Sequence, residues 1–516
     1  HNNFLIIRYF YKKTNSMQLN RLLFLIGILV TVCACRSDFD TVASKGDLTF
    51  SQDTIYLDTV FSTISSSTYQ LKVYNKSNED ISIPSIQFSK GLNSKYRMTV
   101  DGMTGKQGKL FQDVTLLAKD SLYIFIETTV NAADVNPTDF LYTDQIQFDS
   151  GTNLQKVELV TLVKDAIFLF PQQISNGIKE TIPIGNKTIE GFYLEDTELH
   201  FTNKKAYVIY GHATVPSGKT AVFDAGSRVY FHDNSGLIVS KNASLQINGK
   251  SSTTNLLENE VIFQGDRLQS DYANVPGQWE TVWLNEGATN NTINHLTVKN
   301  ASIGLLIQNT NGPDVSIKNT QIYNSAHYGI LTQNGKINAE NLVINDAGKA
   351  ALACEYGGSY SFTHATINNN WTSSSQIAVT ISNFKLGAIL EINALSKATF
   401  NNCIIYGSYS NELELNKRAS AAFEYQFNNC LIKMDSKTVA TNPLFQFTND
   451  PSHYNAILLN QDPKFQSVSK NKLNIDGSSA AFAKGNTTYL IPTDIKGITR
   501  TLPPDLGAYQ SNTFVN

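Results

Sequence analysis

Three side chains capable of acid–base chemistry, His327, Lys349 and Glu355, lie near one another in this 516-residue sequence. Breaking a sugar chain by elimination needs a base, and hydrolysis needs two or three carboxylates within about 5 to 9.5 Å of one another. Lys349 and Glu355 fall on one predicted strand, which would hold them about 20 Å apart if extended. The three residues are candidates for catalysis. The pattern favours solvated surface residues on a scaffold, because no outward position pairs two carboxylates.

A second set of residues suits binding without cleavage. Trp371 lies in the stretch NNNWTSSSQ, Tyr356 follows Glu355, and Gln308 and Gln333 occupy equivalent positions in two similar segments. Aromatic rings pack on sugar rings, and side-chain amides bond to hydroxyl groups. We therefore expect Trp371, Tyr356, Gln333 and Gln308 to contact a ligand, either a polysaccharide or another surface partner.

Repeated segments must position these residues. The stretches TFNNCIIY and QFNNCLIK share Phe-Asn-Asn-Cys, and four earlier segments align with them. The central aliphatic residues of this column are spaced by 24, 22, 23, 38 and 27 residues, and they are Val298, Ile322, Ile344, Ile367, Ile405 and Ile432. Repeats of this length are typical of solenoids. The long spacing contains Trp371 and predicts a loop that projects from the coil.

A polar residue stands three positions before each of these aliphatics: His295, Asn319, Asn341, His364, Asn402 and Asn429. Asparagine tolerates left-handed backbone geometry at a turn, and its amide can bond to a stacked neighbour. We expect Asn319, Asn341, Asn402 and Asn429 to form a ladder between coils that lie about 4.8 Å apart. The neighbouring Cys403 and Cys430 are expected to be buried thiols inside the coil.

A second column supports the same register. The segments IGLLIQN, YGILTQN and AALACEY align at offsets of 25 and 22 residues and carry Gln308, Gln333 and Glu355 on one face. Together with the upstream segments VIFQGD and GQWETVWLNEGA, residues 190–435 resemble right-handed parallel β-helix proteins of the pectin-lyase-like class. Enzymes of that class would be polysaccharide lyases or glycoside hydrolases, and a lyase would need calcium held by an acidic cluster.

The C-terminal residues extend this resemblance. The motifs QDPKF and PPDLGAY are similar to the closing segment of bacterial β-helix surface proteins. Open strand edges at the end of a solenoid must be covered. We therefore interpret residues 436–516 as a C-terminal cap, with residues 167–189 as a connector before the β-helix.

The sequence pattern of residues 46–166 differs from that of the repeats. Nine short segments alternate apolar and polar residues and are separated by turns such as NKSNED. This pattern predicts a two-sheet sandwich, and it resembles cysteine-free bacterial immunoglobulin-like spacer domains.

The N-terminal residues 1–35 are predicted to be a signal peptide, with Met17 as the start. The apolar run LLFLIGILVTVCA is too short to span a bilayer as a helix. Its end, VCAC, resembles the lipobox of bacterial lipoproteins, which makes Cys35 the lipidated residue. The following RSDFD, in the linker 36–45, resembles the surface-export signals of Bacteroidetes lipoproteins. The resemblance implies lipid anchoring in the outer membrane with exposure at the cell surface.

Composition excludes one large class of partners. The net charge is −3, and no Lys/Arg-rich block is present, so nucleic acid is not an expected partner. No metal-site motif or cofactor motif is found, so none is expected unless the chain is a calcium-dependent lyase. The sequence therefore predicts an all-β, lipid-anchored protein that binds polysaccharide or a surface partner. A polysaccharide lyase or hydrolase and a structural adhesin or stalk are the alternatives.

Overall fold

The computed structural model describes residues 40–136, 139–175, 177–372 and 375–514. The chain divides into two compact units, His1–Val163 and Lys164–Asn516. The predicted signal peptide, Met17 and Cys35 lie outside the described residues. Both units consist mainly of strands, so the all-β prediction is confirmed.

The first unit contains two sheets whose buried residues form one apolar cluster. Each of the nine alternating segments contains a strand, because burying every second side chain is what a strand on a core requires. The strands of the larger sheet are Val42–Ala43, Thr54–Phe61, Ile81–Phe88, Leu110–Leu116, Leu141–Phe148 and Gln155–Lys164. Those of the smaller sheet are Thr49–Phe50, Tyr69–Tyr74, Tyr96–Val100 and Ser121–Thr128. Short 3-10 turns lie at Gly91–Asn93, Ala132–Asp134 and Gly151–Asn153.

The second unit is a coil of parallel strands with three faces, as a β-helix predicts. Face 1 consists of His200–Phe201, Thr220–Asp224, Ser244–Asn248, Thr292–Asn294, Gly358–Thr363, Leu395–Asn401, Gln426–Asn428 and Tyr454–Asn455. Face 2 consists of Ala166–Leu169, Ala206–Ile209, Arg228–Phe231, Val261–Gly265, Leu296–Lys299, Thr366–Asn369, Ile404–Gly407, Leu431–Ile432 and Leu458–Leu459. Two long strands turn the corner and belong to both faces: Val315–Ser325 and Lys336–Ala347.

Face 3 closes the coil with a hairpin followed by parallel strands. Its members are Thr181–Ile184, Lys187–Tyr193, His212–Val215, Gly236–Val239, Trp279–Leu284, Ala301–Gln308, Tyr328–Gln333, Ala350–Glu355, Ile377–Ser382 and Leu413–Asn416. Two further hairpins pair Gln173–Ser175 with Ile178–Lys179 and Phe384–Leu386 with Leu390–Ile392. Short 3-10 turns lie at Asp196–Glu198, Ser270–Tyr272, Val468–Lys470 and Thr487–Tyr489.

The corner between faces 1 and 2 is where the polar column of the repeat lies. All six of its residues have positive φ angles, between 49° and 54°: His295, Asn319, Asn341, His364, Asn402 and Asn429. The left-handed region disfavours most side chains, and Asn tolerates it best after Gly. Asn341 donates to Asn319 Oδ1 at 2.9 Å, and Asn402 bonds to His364 Nε2 at 3.1 Å. No side-chain hydrogen bond between Asn402 and Asn429 is found among the described residues, although their neighbours pair in register.

Inward side chains of successive coils stack inside the solenoid. Phe362, Phe400 and Phe427 are fully buried, and each neighbouring pair of rings has centroids 4.8 Å apart. Cys403 and Cys430 are buried free thiols, as predicted. This regular filling is what fixes the register of the outer surfaces.

The segment predicted as a cap falls into two parts. The helix Ser436–Thr441 and the buried Phe445, Phe447 and Tyr454 complete the apolar core after the last full coil. Residues 461–514, which we call the tail, then lie on the outer surface of face 2. There Leu473, Ile495 and Tyr509 pack against outward side chains such as Tyr323 and Val343.

Candidate functional site

The outer surface of face 3 brings together most of the predicted site residues. An apolar strip runs across successive strands there: Leu331, Ala350 and Ala353 are buried, and the partly exposed Ile303, Leu306, Tyr328 and Ile377 pack against them. Strand register explains the strip, because Leu306 pairs with Leu331 and Leu331 pairs with Ala353. We call this surface, with its two polar edges, the face 3 strip.

One edge of the strip is a row of polar side chains. Trp283 Nε1 donates to Gln308 Oε1 at 2.9 Å, and Gln308 Nε2 donates to Gln333 Oε1 at 2.9 Å. Gln333 in turn hydrogen-bonds to Glu355. Burial raises the pKa of Glu355, while the bond from Gln333 and the charge of Lys349 oppose that rise. The row spans four consecutive coils and fixes its amide groups in one line.

The opposite edge carries His327 and Lys349, which are exposed and adjacent on neighbouring coils. The Lys349 backbone N–H donates to the His327 carbonyl at 2.8 Å. The Lys349 ammonium lies 5.6 Å from the centre of the Tyr328 ring. Trp371 belongs to the same edge, because its ring lies beside Gly348.

Tyr356 lies just beyond the Glu355 end of the strip. Its hydroxyl donates to Glu391 Oε2 at 3.3 Å, and the Lys385 ammonium lies 4.5 Å from its ring centre. Both partners belong to the hairpin Phe384–Leu386 and Leu390–Ile392. The long repeat spacing therefore arises from this hairpin as well as from the loop around Trp371.

The strip offers little for cleavage. The strands that carry the strip and its edges hold Glu280, Glu355 and, two coils beyond Glu355, Glu414, each on a different coil; Glu414 accepts a bond from Thr380 at 3.1 Å. The bond from Gln333 and the charge of Lys349 both favour the ionised form of Glu355 against the effect of burial on its pKa. Among the described residues, no group of three or more His, Cys, Asp or Glu side chains could hold a metal ion.

Two functional features were not predicted from the sequence. Trp283 begins the polar row, and only its strand register with Leu306 could have indicated that position. Glu412 is fully buried and accepts backbone N–H bonds from Ala378 at 2.8 Å and Tyr409 at 2.7 Å. Burial raises the pKa of Glu412 to about 7. Because it bonds both to the strand Ile377–Ser382 and to Tyr409, Glu412 holds the turn at Tyr409 against that strand, next to the strip.

No helix within the described ranges has the length and apolar character needed to cross a membrane.

Comparison with known proteins gives no family. No protein-family model matches the chain, and no curated protein matches it. Among solved structures, the ASH/PapD-like domain of human CEP192 shares 12% identity over 23% of this chain and 87% of its own, with a TM-score of 0.15. The E. coli chaperone DraB shares 15% identity over 24% of this chain and 57% of its own, with a TM-score of 0.16. The catalytic unit of a thermostable GH87 alpha-1,3-glucanase from Streptomyces thermodiastaticus strain HF3-3 shares 9% identity over 77% and 82%, with a TM-score of 0.24.

Proposed function

We propose that the protein binds an extended polysaccharide along the face 3 strip and is held at the cell surface by a lipid on Cys35. The observation that supports binding is the line of fixed amides from Gln308 to Gln333 beside an apolar floor. An apolar floor packs against the faces of sugar rings, and fixed amides bond to their hydroxyls. Trp371 extends the edge that carries Lys349, and Tyr356 extends the surface beyond Glu355.

Binding without cleavage is favoured by the state of the carboxylates. A hydrolase needs one carboxyl group placed to donate a proton and a second to act as base or nucleophile. Glu355 is bonded to Gln333 and stands apart from Glu414 by two coils. A lyase or hydrolase remains the second candidate, because burial raises the pKa of Glu355 in the direction a general acid requires.

The binding proposal is tested by affinity electrophoresis of the purified protein in gels that contain acidic or neutral polysaccharides. Gln333→Ala should weaken retention about threefold to tenfold, since one hydrogen bond contributes about 0.5 to 1.5 kcal/mol. Gln426→Ala removes the same side chain from face 1 and should bind as the unaltered protein does. Equal retention of Gln333→Ala and the unaltered protein on every polysaccharide would contradict the proposal.

The same samples separate binding from cleavage. Incubated polysaccharide should show no new reducing ends and no new unsaturated ends. If new ends appear with the unaltered protein and are absent with Glu355→Gln, the enzymatic proposal replaces the binding proposal.

The anchoring part of the proposal rests on the sequence VCAC and has its own test. Cys35→Ala should move the protein from the membrane fraction to the soluble fraction of the cells that express it. An immunoglobulin-type topology for the first unit, acting as a spacer between anchor and strip, belongs to the same proposal. Membrane retention of Cys35→Ala equal to that of the unaltered protein would refute the lipid anchor.

A further inference from the structure

A cavity of about 580 Å³ lies between the outer surface of face 2 and the tail, away from the face 3 strip. Lys299, Gln321 and Tyr323 come from the strands of face 2, and Lys496 and Tyr509 come from the tail. Tyr323 and Tyr509 belong to one packed cluster at this junction. The cavity is large enough for a small organic ligand.

The lining is strongly positive. It contains one carboxylate, Glu260, and four lysines: Lys299, Lys470, Lys472 and Lys496. Across the described part of the chain, no carboxylate lies within salt-bridge distance of any of these four ammonium groups. Partial burial lowers the pKa of Lys496, the charge of Asp494 opposes that lowering, and the charge of Lys472 adds to it. An excess of ammonium groups over carboxylates raises the local concentration of anions.

Glu260 offsets only part of this charge, because its interaction is with Lys299 and three further lysines line the cavity. Its side chain accepts a hydrogen bond from Thr297 Oγ1 at 2.5 Å and a second from Gln321 Nε2 at 3.2 Å. Burial raises the pKa of Glu260, while the bonds from Thr297 and Gln321 and the charges of Arg228 and Lys299 oppose that rise. Gln321 also accepts a bond from the Tyr323 hydroxyl at 2.6 Å. Glu260 is therefore a bonded part of the floor that offsets the charge of Lys299, and the lining keeps an excess of positive charge.

The rest of the lining offers groups for hydroxyls. Asn474 and Gln466 line the cavity and bond to each other at 3.1 Å, and Asn471 donates to Asn324 at 3.2 Å. Each amide keeps a free donor or acceptor position after these bonds. A bare inorganic anion would use the ammonium groups and leave this polar lining and most of the volume unfilled.

We propose that the cavity between face 2 and the tail binds a small polyhydroxylated carboxylate, a sugar acid. Its carboxylate pairs with Lys299 and Lys496, and its hydroxyls bond to the amide lining. Because Lys496 and Tyr509 belong to the tail, the ligand also ties the tail to face 2. The site uses none of the residues of the face 3 strip, so it does not depend on the proposed polysaccharide binding.

Isothermal titration calorimetry of the full chain with D-glucuronate tests this proposal, with D-glucose and inorganic phosphate as comparison ligands. Glucuronate should bind to one site, and glucose and phosphate should each bind at least tenfold more weakly. Lys299→Met should weaken glucuronate binding at least tenfold. The double variant Lys472→Met and Lys496→Met should weaken glucuronate binding to a similar extent. Both lysines have exposed side chains, so this variant carries no risk to folding.

Two control variants define specificity. Lys437→Met removes an exposed lysine from the helix Ser436–Thr441 and should leave the glucuronate affinity unchanged. Gln333→Ala should also leave it unchanged, even if it abolishes retention on polysaccharides. Hydrogen exchange should slow in the tail, around residues 466–474 and 495–509, when glucuronate is present.

Three results would overturn the inference. They are the absence of glucuronate binding, phosphate binding as tight as that of glucuronate, and an unchanged affinity in both lysine variants.

Discussion

Asn402 and Asn429 occupy the same corner position on adjacent coils, and replacing each should have different consequences. Their φ angles are 53° and 50°. Asn402 is fully buried, bonds to His364 Nε2 at 3.1 Å, donates to the Asn486 carbonyl at 3.0 Å and accepts from the Asn486 N–H at 2.8 Å. Asn429 makes one side-chain bond, to the Lys484 carbonyl at 3.4 Å.

The loss of unfolding free energy on substitution therefore has two contributions. The backbone contribution is the same at both positions, and the hydrogen-bond contribution is larger at Asn402. Alanine in the left-handed region costs about 1 to 2 kcal/mol, which glycine avoids. Losing the Asn402 side chain leaves His364 Nε2 buried without a partner, at about 1 to 3 kcal/mol, and forfeits two further bonds of about 1 kcal/mol each. We expect the free energy of unfolding to fall by about 5 kcal/mol in Asn402→Ala and about 4 in Asn402→Gly. Asn429→Ala should lose about 1.5 kcal/mol, and Asn429→Gly less than about 1.

Urea unfolding of the four variants, followed by circular dichroism and by hydrogen exchange of the neighbouring strands, measures these differences. The contrast between alanine and glycine should be the same at both positions, because it reports the backbone term alone. The contrast between Asn402 and Asn429 reports the bonds to His364 and Asn486. If Asn402→Gly were no more destabilising than Asn429→Gly, the assigned role of these bonds would be wrong.

Three further predictions concern the interior of the second unit. Phe400→Ala should lower the free energy of unfolding by about 3 to 5 kcal/mol and Phe400→Leu by less than about 1.5, because the Phe400 ring fills the stack. Equal urea midpoints for the two variants would contradict this. Burial lowers the pKa of His364 to about 3. Between pH 6.5 and 3 the unfolded chain therefore binds a proton that the folded chain does not, and lowering the pH destabilises the folded state. His364→Asn should remove about 2 kcal/mol of the stability difference between pH 7 and 5, measured by urea unfolding at both, and an unchanged difference would refute the assignment. Cys403 and Cys430 are fully buried, so peptide mapping after iodoacetamide treatment should find them unlabelled in the folded protein and labelled in urea; labelling without urea would contradict their burial.

The coil could be predicted from the sequence because its constraints are local and repeated. A left-handed corner admits few residue types, so Asn319 or Asn429 marks it wherever it recurs. Alternating aliphatics then fix which side chains point inward. The same register places Gln308, Gln333 and Glu355 in one row on face 3.

The tail could not be predicted in the same way. Its contacts join residues more than a hundred positions apart, as in the bond between His364 and the Gly507 carbonyl at 3.1 Å. No periodicity connects such pairs, and each bond depends on how the intervening chain turns. Lys299 and Glu260 were overlooked for this reason, since only the tail converts an open strand surface into a cavity.

The corner column nevertheless determines where the tail lies. Asn341 donates to the Thr493 carbonyl at 3.0 Å, and Asn402 bonds to both backbone groups of Asn486. His364 completes the series with Gly507. On three successive coils, the corner residue therefore bonds to the tail. The left-handed turn favours Asn at these corners, and the Asn side chain is also able to make such bonds. The asparagines that mark the solenoid in the sequence therefore also place the wall of the cavity, and substitutions at this corner should weaken sugar-acid binding as well as stability.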